Sequence, residues 1–142
     1  MARGVGKPAR LSCDPAEYAV TILLACVTEV AVRTLPLTRT ARLLRVELVP
    51  GQTSPRPEID TLPGWAWHRF RIVQHLMKRW PVDGACLRQS LVLGNRLRKL
   101  HPVLKLGVRR DDGVLKAHAW LEIDGRSLDS TSYAFAELST AV

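Results

Sequence analysis

A thiol, an imidazole and a carboxylate occur in that order in the second half of this chain: Cys86, His118 and Asp129. Their settings are Asp83-Gly84-Ala85-Cys86-Leu87-Arg88-Gln89-Ser90-Leu91, then Ala117-His118-Ala119-Trp120, then Ser127-Leu128-Asp129-Ser130-Thr131. Side chains of these types support acyl transfer. The thiolate attacks a carbonyl, the imidazole moves the proton, and the carboxylate orients the imidazole. The case rests on whether the elements that carry them can bring them together.

Asp83 can cap a helix running from about Gly84 to Leu100, with Leu87, Leu91, Gly94, Leu97 and Leu100 on its inner side. Cys86 then falls in the first turn. Unpaired N–H groups and the positive end of the helix dipole favour a thiolate there. The same N–H groups can donate to a developing oxyanion. His101-Pro102 ends the helix.

Beyond it the apolar period changes from helical to two. Asp112-Gly113 and Asp124-Gly125 are both hairpin turn signals. With Asp124-Gly125 central, Ile123 opposes Arg126, Trp120 opposes Asp129, and His118 opposes Thr131. Asp129 thus shares a face with His118, diagonally offset by about 7–8 Å at Cα. With Asp112-Gly113 central, Asp111 opposes Val114 and Gly107 opposes His118. Gly107 is expected to leave room beside the imidazole for the cysteine helix. The other face carries Leu106, Val108, Ala117, Ala119 and Leu121. Asp124 is the rival carboxylate, but its turn position already explains it. Glu122 shares the His118 face and is a weaker substitute.

Upstream, Asp14 can cap a helix with Pro15 in its first turn, running to about Arg33. Its apolar content is wide enough for a buried or partner-facing helix, which points to a partner or membrane-surface contact. Thr38 to Val49 is apolar and arginine-rich, and its period does not separate helix from strand. Residues 50–64 form a Pro/Gly-rich connection, and Trp65 to Trp80 reads as a helix stopped by Pro81. The tail from Tyr133 is assigned to no element. The expected architecture is α+β: N-terminal helices, then a cysteine-bearing helix packed on a small antiparallel three-stranded meander. At 142 residues the chain suits one domain, with 1–64 a helical part and loop and 65–142 the core of the site.

The net charge is +8, which favours acidic partners. The basic residues are spread along the chain, and no reader motif accompanies them, so direct nucleic-acid function is set aside. Arg39, Arg42, Arg45 and Arg56 are by default a solvated surface, or else meet an acidic leader or partner in a salt-sensitive way. Cys13, Cys26 and Cys86 are odd in number with no close pair, which argues against a disulfide framework or a zinc knuckle. His68 and His75 have no third ligand in view, so no metal or cofactor is expected. The longest apolar run, Tyr18 to Val27, falls short of the roughly 20 residues of a membrane span. A cytoplasmic protein with reduced thiols is expected.

The segment Cys86-Leu-Arg-Gln-Ser-Leu-Val-Leu, with Arg96-Leu-Arg-Lys-Leu, Leu106-Gly-Val-Arg, Ala117-His-Ala-Trp-Leu-Glu-Ile-Asp-Gly-Arg126 and Leu128-Asp129, carries a resemblance. It resembles the transglutaminase-like, papain-like cysteine-protease domain of lasso-peptide biosynthesis B proteins. Within that group it is most similar to the stand-alone leader peptidases. The resemblance covers residues 80–131 strongly. Gln89 and His101-Pro102-Val103 depart from the usual pattern and leave the Cys/His/Asp triplet intact. The resemblance implies a cysteine peptidase with Cys86, His118 and Asp129 as catalytic residues. Its substrate would be a ribosomally made lasso precursor peptide, often with Thr next to last before the cut. Implied partners are a separate leader-binding recognition protein and an ATP-dependent cyclase similar to asparagine synthetase.

Each residue also has an ordinary explanation. An isolated Cys is usually a small buried hydrophobe, a strand His is usually structural, and Asp129 could cap a turn. Their conjunction favours catalysis. Trp65, Trp67 and Trp80 read as packing residues, with a peptide-groove role open for Trp80 or Trp120. Two other classes stay open: a transglutaminase-like acyl transferase or amidase, and a non-catalytic peptide-binding adaptor.

Overall fold

The computed structural model describes residues 14–49, 62–81, 85–128 and 136–137. Four α-helices precede the long strands. Helix α1 is Pro15–Thr34, α2 Leu37–Leu43, α3 Gly64–Met77 and α4 Ala85–Arg96. The strands are β1 Glu47–Leu48, β2 Val103–Asp111, β3 Val114–Ile123, β4 Arg126–Ser127 and β5 Ala136–Glu137.

Helix α1 begins as its sequence dictates. The Asp14 side chain accepts from the N–H groups of Ala16 and Glu17, and Pro15 occupies the first turn. Its buried positions are Thr21, Ala25, Thr28 and Ala31. The threonine hydroxyls are satisfied within the helix: Thr21 Oγ1 donates to Glu17 O at 2.7 Å and Thr28 Oγ1 to Leu24 O at 2.8 Å. A small, internally satisfied face lets α1 approach α3 and α4 closely.

The ambiguous segment 38–49 divides into two elements. Arg45 adopts the left-handed conformation at φ 56° and separates α2 from β1. Helical and extended signals are adjacent there, so one period could not describe the whole segment. Asn95 Nδ2 of α4 donates to Leu44 O at 2.7 Å and holds this bend.

The sheet is mixed, not the purely antiparallel three-stranded meander expected. β1 pairs in parallel with the start of β2, Glu47 opposite Val103, and β5 pairs antiparallel with its middle, Gly107 opposite Glu137. Two-residue strands carry no readable alternation, and long-range pairing decides them. Both hairpins have the expected register. Asp111 opposes Val114, Gly107 opposes His118, and Ile123 opposes Arg126. The turn residues Asp112, Gly113, Asp124 and Gly125 all have positive φ, as two-residue turns of this type require.

The core lies between the helices and one face of the sheet. Val73 and Phe70 of α3, Leu91 and Val92 of α4, and Leu97 just after it meet Leu104, Ala119 and Leu121. Ala25 and Leu44 from the N-terminal elements belong to the same cluster. Gly94 sits at its tightest point. A Cβ there would lie 2.8 Å from Val46 Cγ2 and 3.4 Å from Leu121 Cδ2. Val46 is buried, so it has little room to give. Gly94→Ala should therefore destabilise the protein by about 1–3 kcal/mol, despite the better helix propensity of alanine. Urea denaturation of the two proteins measures this, and an unchanged midpoint would show that Val46 relaxes freely.

Candidate active site

Cys86 is the second residue of α4 and is half-buried. Asp83, the expected cap, lies outside the described residues. The first turn nonetheless supplies what the sequence reading sought: backbone N–H groups without intrahelical partners, beside the thiol.

Two contacts fix how α4 runs over β3. Gly94 lies against Leu121, and Ser90 Oγ donates to Ala119 O at 3.2 Å. Four helix residues advance about 6 Å, and two strand residues advance about 6.6 Å. Helix and strand therefore keep step, and one further turn back brings Cys86 level with Ala117 and His118.

The packed face differs from the one expected. The body of α4 covers the side of β3 that carries Ala119 and Leu121, whereas His118, Trp120 and Glu122 point to the other side. Gly107 therefore does not make room for the cysteine helix. The reason is chemical. Leu91 of α4 and Leu97 just after it need an apolar partner, and Leu104, Ala119 and Leu121 provide it.

The His118 side of the sheet is polar yet largely covered. Lys105, Trp120, Glu122 and Ser127 are buried there, and His118 is half-buried. Trp120 Nε1 donates to Glu122 Oε1 at 3.1 Å, and the His118 and Trp120 rings stack with centroids 6.1 Å apart. Trp120 is thus a packing residue beside the imidazole, and the groove role considered for it does not fit its 4% exposure. Glu122 is engaged by Trp120, which gives it a role other than substitute carboxylate. Asp129 lies outside the described residues. The strand leading to it keeps the expected register as far as Leu128, whose N–H donates to Leu121 O at 2.9 Å.

Sequence reasoning missed the charges that hold α4. Glu29 of α1 accepts from Arg88 Nε and from Arg88 Nη2 at 3.2 Å, and also pairs with Arg33 at 2.7 Å. At the other end, Glu17 of α1 pairs with Arg96 and, at 3.3 Å, with Arg69, whose Nη1 donates to Arg96 O at 3.0 Å. Burial, and then repulsion from Arg98, lowers the pKa of the Arg96 guanidinium. Apart from the i,i+4 spacing of Glu29 and Arg33, the sequence signal for these pairs was the presence of two carboxylates in a largely apolar helix.

A family model described as the transglutaminase-like superfamily matches residues 22–140, most of the chain. The protein belongs to that superfamily, which includes cysteine proteases and commonly shows protease or acyltransferase activity. None of the curated proteins and none of the solved structures matches the chain.

The Glu29 carboxyl is held below its usual pKa chiefly by its hydrogen bond from Arg88; burial, the next largest effect, opposes this, and the charges of Arg88 and Arg33 add to the lowering. A depressed folded-state pKa stabilises the fold above the unfolded pKa, and that stabilisation is lost as pH falls through the folded value. Glu29→Gln should therefore lower the melting temperature at neutral pH. The gap from the unmodified protein should narrow as pH drops through the glutamate range. A gap that stays constant with pH would show that the Glu29 charge is not involved.

Proposed function

We propose that this transglutaminase-like protein is a cysteine peptidase that removes the leader from a ribosomally made lasso precursor peptide. The observation that supports the proposal is the position of Cys86 in the first turn of α4, a helix whose later residues Ser90 and Gly94 lie against the strand that bears His118. The resemblance of residues 80–131 to stand-alone leader peptidases supplies the substrate class.

The chemistry follows from the side chains. The Cys86 thiolate attacks the carbonyl at the leader–core junction, and N–H groups of the α4 N-terminus stabilise the oxyanion. His118 donates a proton to the leaving amine, which becomes the new N-terminus of the core peptide. Water, deprotonated by His118, then hydrolyses the thioester and releases the leader. Asp129 holds the His118 tautomer. Because His118 faces away from the packed body of α4, the reading has the thiol and imidazole meet past the N-terminal end of that helix. Ala117 is exposed at that level.

The same reading places the protein in the cytoplasm. It works there with a separate leader-binding protein and upstream of a cyclase that closes the ring on the freed amine. An acyl transferase on the same site would differ only in the acceptor, an amine in place of water. An adaptor would bind the peptide without cutting it.

Incubating the protein with a lasso precursor and a leader-binding partner, followed by mass spectrometry, tests this. A single cut at the leader–core junction is expected, and it should vanish in Cys86→Ala. His118→Ala should slow cleavage by roughly 10²–10⁴-fold, and Asp129→Asn should slow it without unfolding the protein. Cleavage that persists in Cys86→Ala would sink the mechanism. A product carrying an added amine in place of water would identify a transferase. Binding without cleavage in the unmodified protein would favour an adaptor.

A further inference from the structure

Helix α1 presents the reverse of an ordinary surface helix. It buries threonine and alanine and exposes large aliphatic side chains. Leu23 is 66% exposed and Val30 62%, with Val20, Ile22 and Val27 also exposed. Val20, Leu23, Val27 and Val30 recur at helical spacing and form one continuous stripe. Among the exposed residues of α1, the sole charge is Arg33, at the C-terminal end of the stripe.

The next element changes character. Arg39, Arg42 and Arg45 are exposed on α2 and the turn after it, with Leu43 exposed among them. Thr40 Oγ1 donates to Ala31 O at 3.2 Å, which docks α2 against the C-terminal end of α1. Glu47 is the exposed carboxylate within residues 14–49. The α1–α2 hairpin is therefore an apolar stripe joined to a cluster of arginines.

We infer that this hairpin seats the protein on an anionic lipid surface, with the α1 stripe at the acyl boundary and the arginines on the phosphates. Charge selects this occupant. A second copy would bring together two chains that each carry +8, whereas an anionic bilayer attracts them. Aliphatic side chains beside basic ones are what an interfacial helix needs.

Lying along the surface also fits α1 better than crossing it. The helix has 20 residues, and an 18-residue stretch of it has a mean hydropathy of 1.5, long and apolar enough for a span, which exceeds the expectation from its apolar run. However, Glu17 and Glu29 tie it to Arg69, Arg88 and Arg96. A crossing would break those pairs and carry both carboxylates into hydrocarbon.

Cosedimentation of the full chain with vesicles tests the inference, using phosphatidylcholine alone and phosphatidylcholine mixed with phosphatidylglycerol. Sedimentation is expected with the mixed vesicles, little with the neutral ones, and less as salt rises. Arg39→Gln and Arg42→Gln should each weaken binding roughly fivefold. Leu23→Glu should abolish it while circular dichroism shows an unchanged fold. Equal binding to neutral vesicles, or full binding by the folded Leu23→Glu protein, would overturn the inference. So would failure to bind mixed vesicles. In that case, self-association lost in Leu23→Glu would assign the face to a second copy, and a monomer would assign it to a protein partner. The readout is lipid binding, so it stands or falls separately from peptide cleavage.

Discussion

Helix α4 is held along its whole length, and the candidate site depends on that restraint. Near its start Arg88 is gripped by Glu29, in the middle Ser90 and Gly94 register it on β3, and at its end Arg96 is gripped by Glu17. Cys86 lies two residues from Arg88. A helix free to slide by one turn along the sheet would carry the thiol about 5.4 Å from its level. Ion pairs with limited solvent access resist such sliding, because breaking one leaves a charge with poor solvation. α1 thus contributes to the candidate site by holding α4 in register.

The two faces of the sheet divide the work. One is apolar and binds α4 and α3 through Leu104, Ala119 and Leu121. The other carries His118 among buried polar groups, with Trp120 fixed by Glu122. Strand alternation makes this division possible within three consecutive residues, Ala117, His118 and Ala119. Alanines flanking the histidine keep the α4 side small enough for a helix to lie close.

Helix α1 serves two surfaces for the same reason. Its small threonine and alanine face permits close packing inside the protein, which leaves its larger aliphatic side chains outside. Small residues make poor hydrophobic drivers but good close contacts. The carboxylates Glu17 and Glu29 supply the attachment that the small face lacks.

Local information in the sequence determined much of this protein. The α1 cap at Asp14, the two Asp-Gly turns, the register that sets Gly107 opposite His118, and the place of Cys86 in the first turn of a helix all follow from neighbouring residues. Turns and caps are short-range devices, so they can be read from the chain. Tertiary structure alone decided three things. It set which face of β3 receives α4, because both faces alternate correctly and only the match with Leu91 and Leu97 chooses between them. It added β1 and β5 to the sheet, since two-residue strands exist only through their pairing with β2. It also joined Glu29 to Arg88 across 59 residues, because a charge carries no mark in the sequence of the partner it will meet.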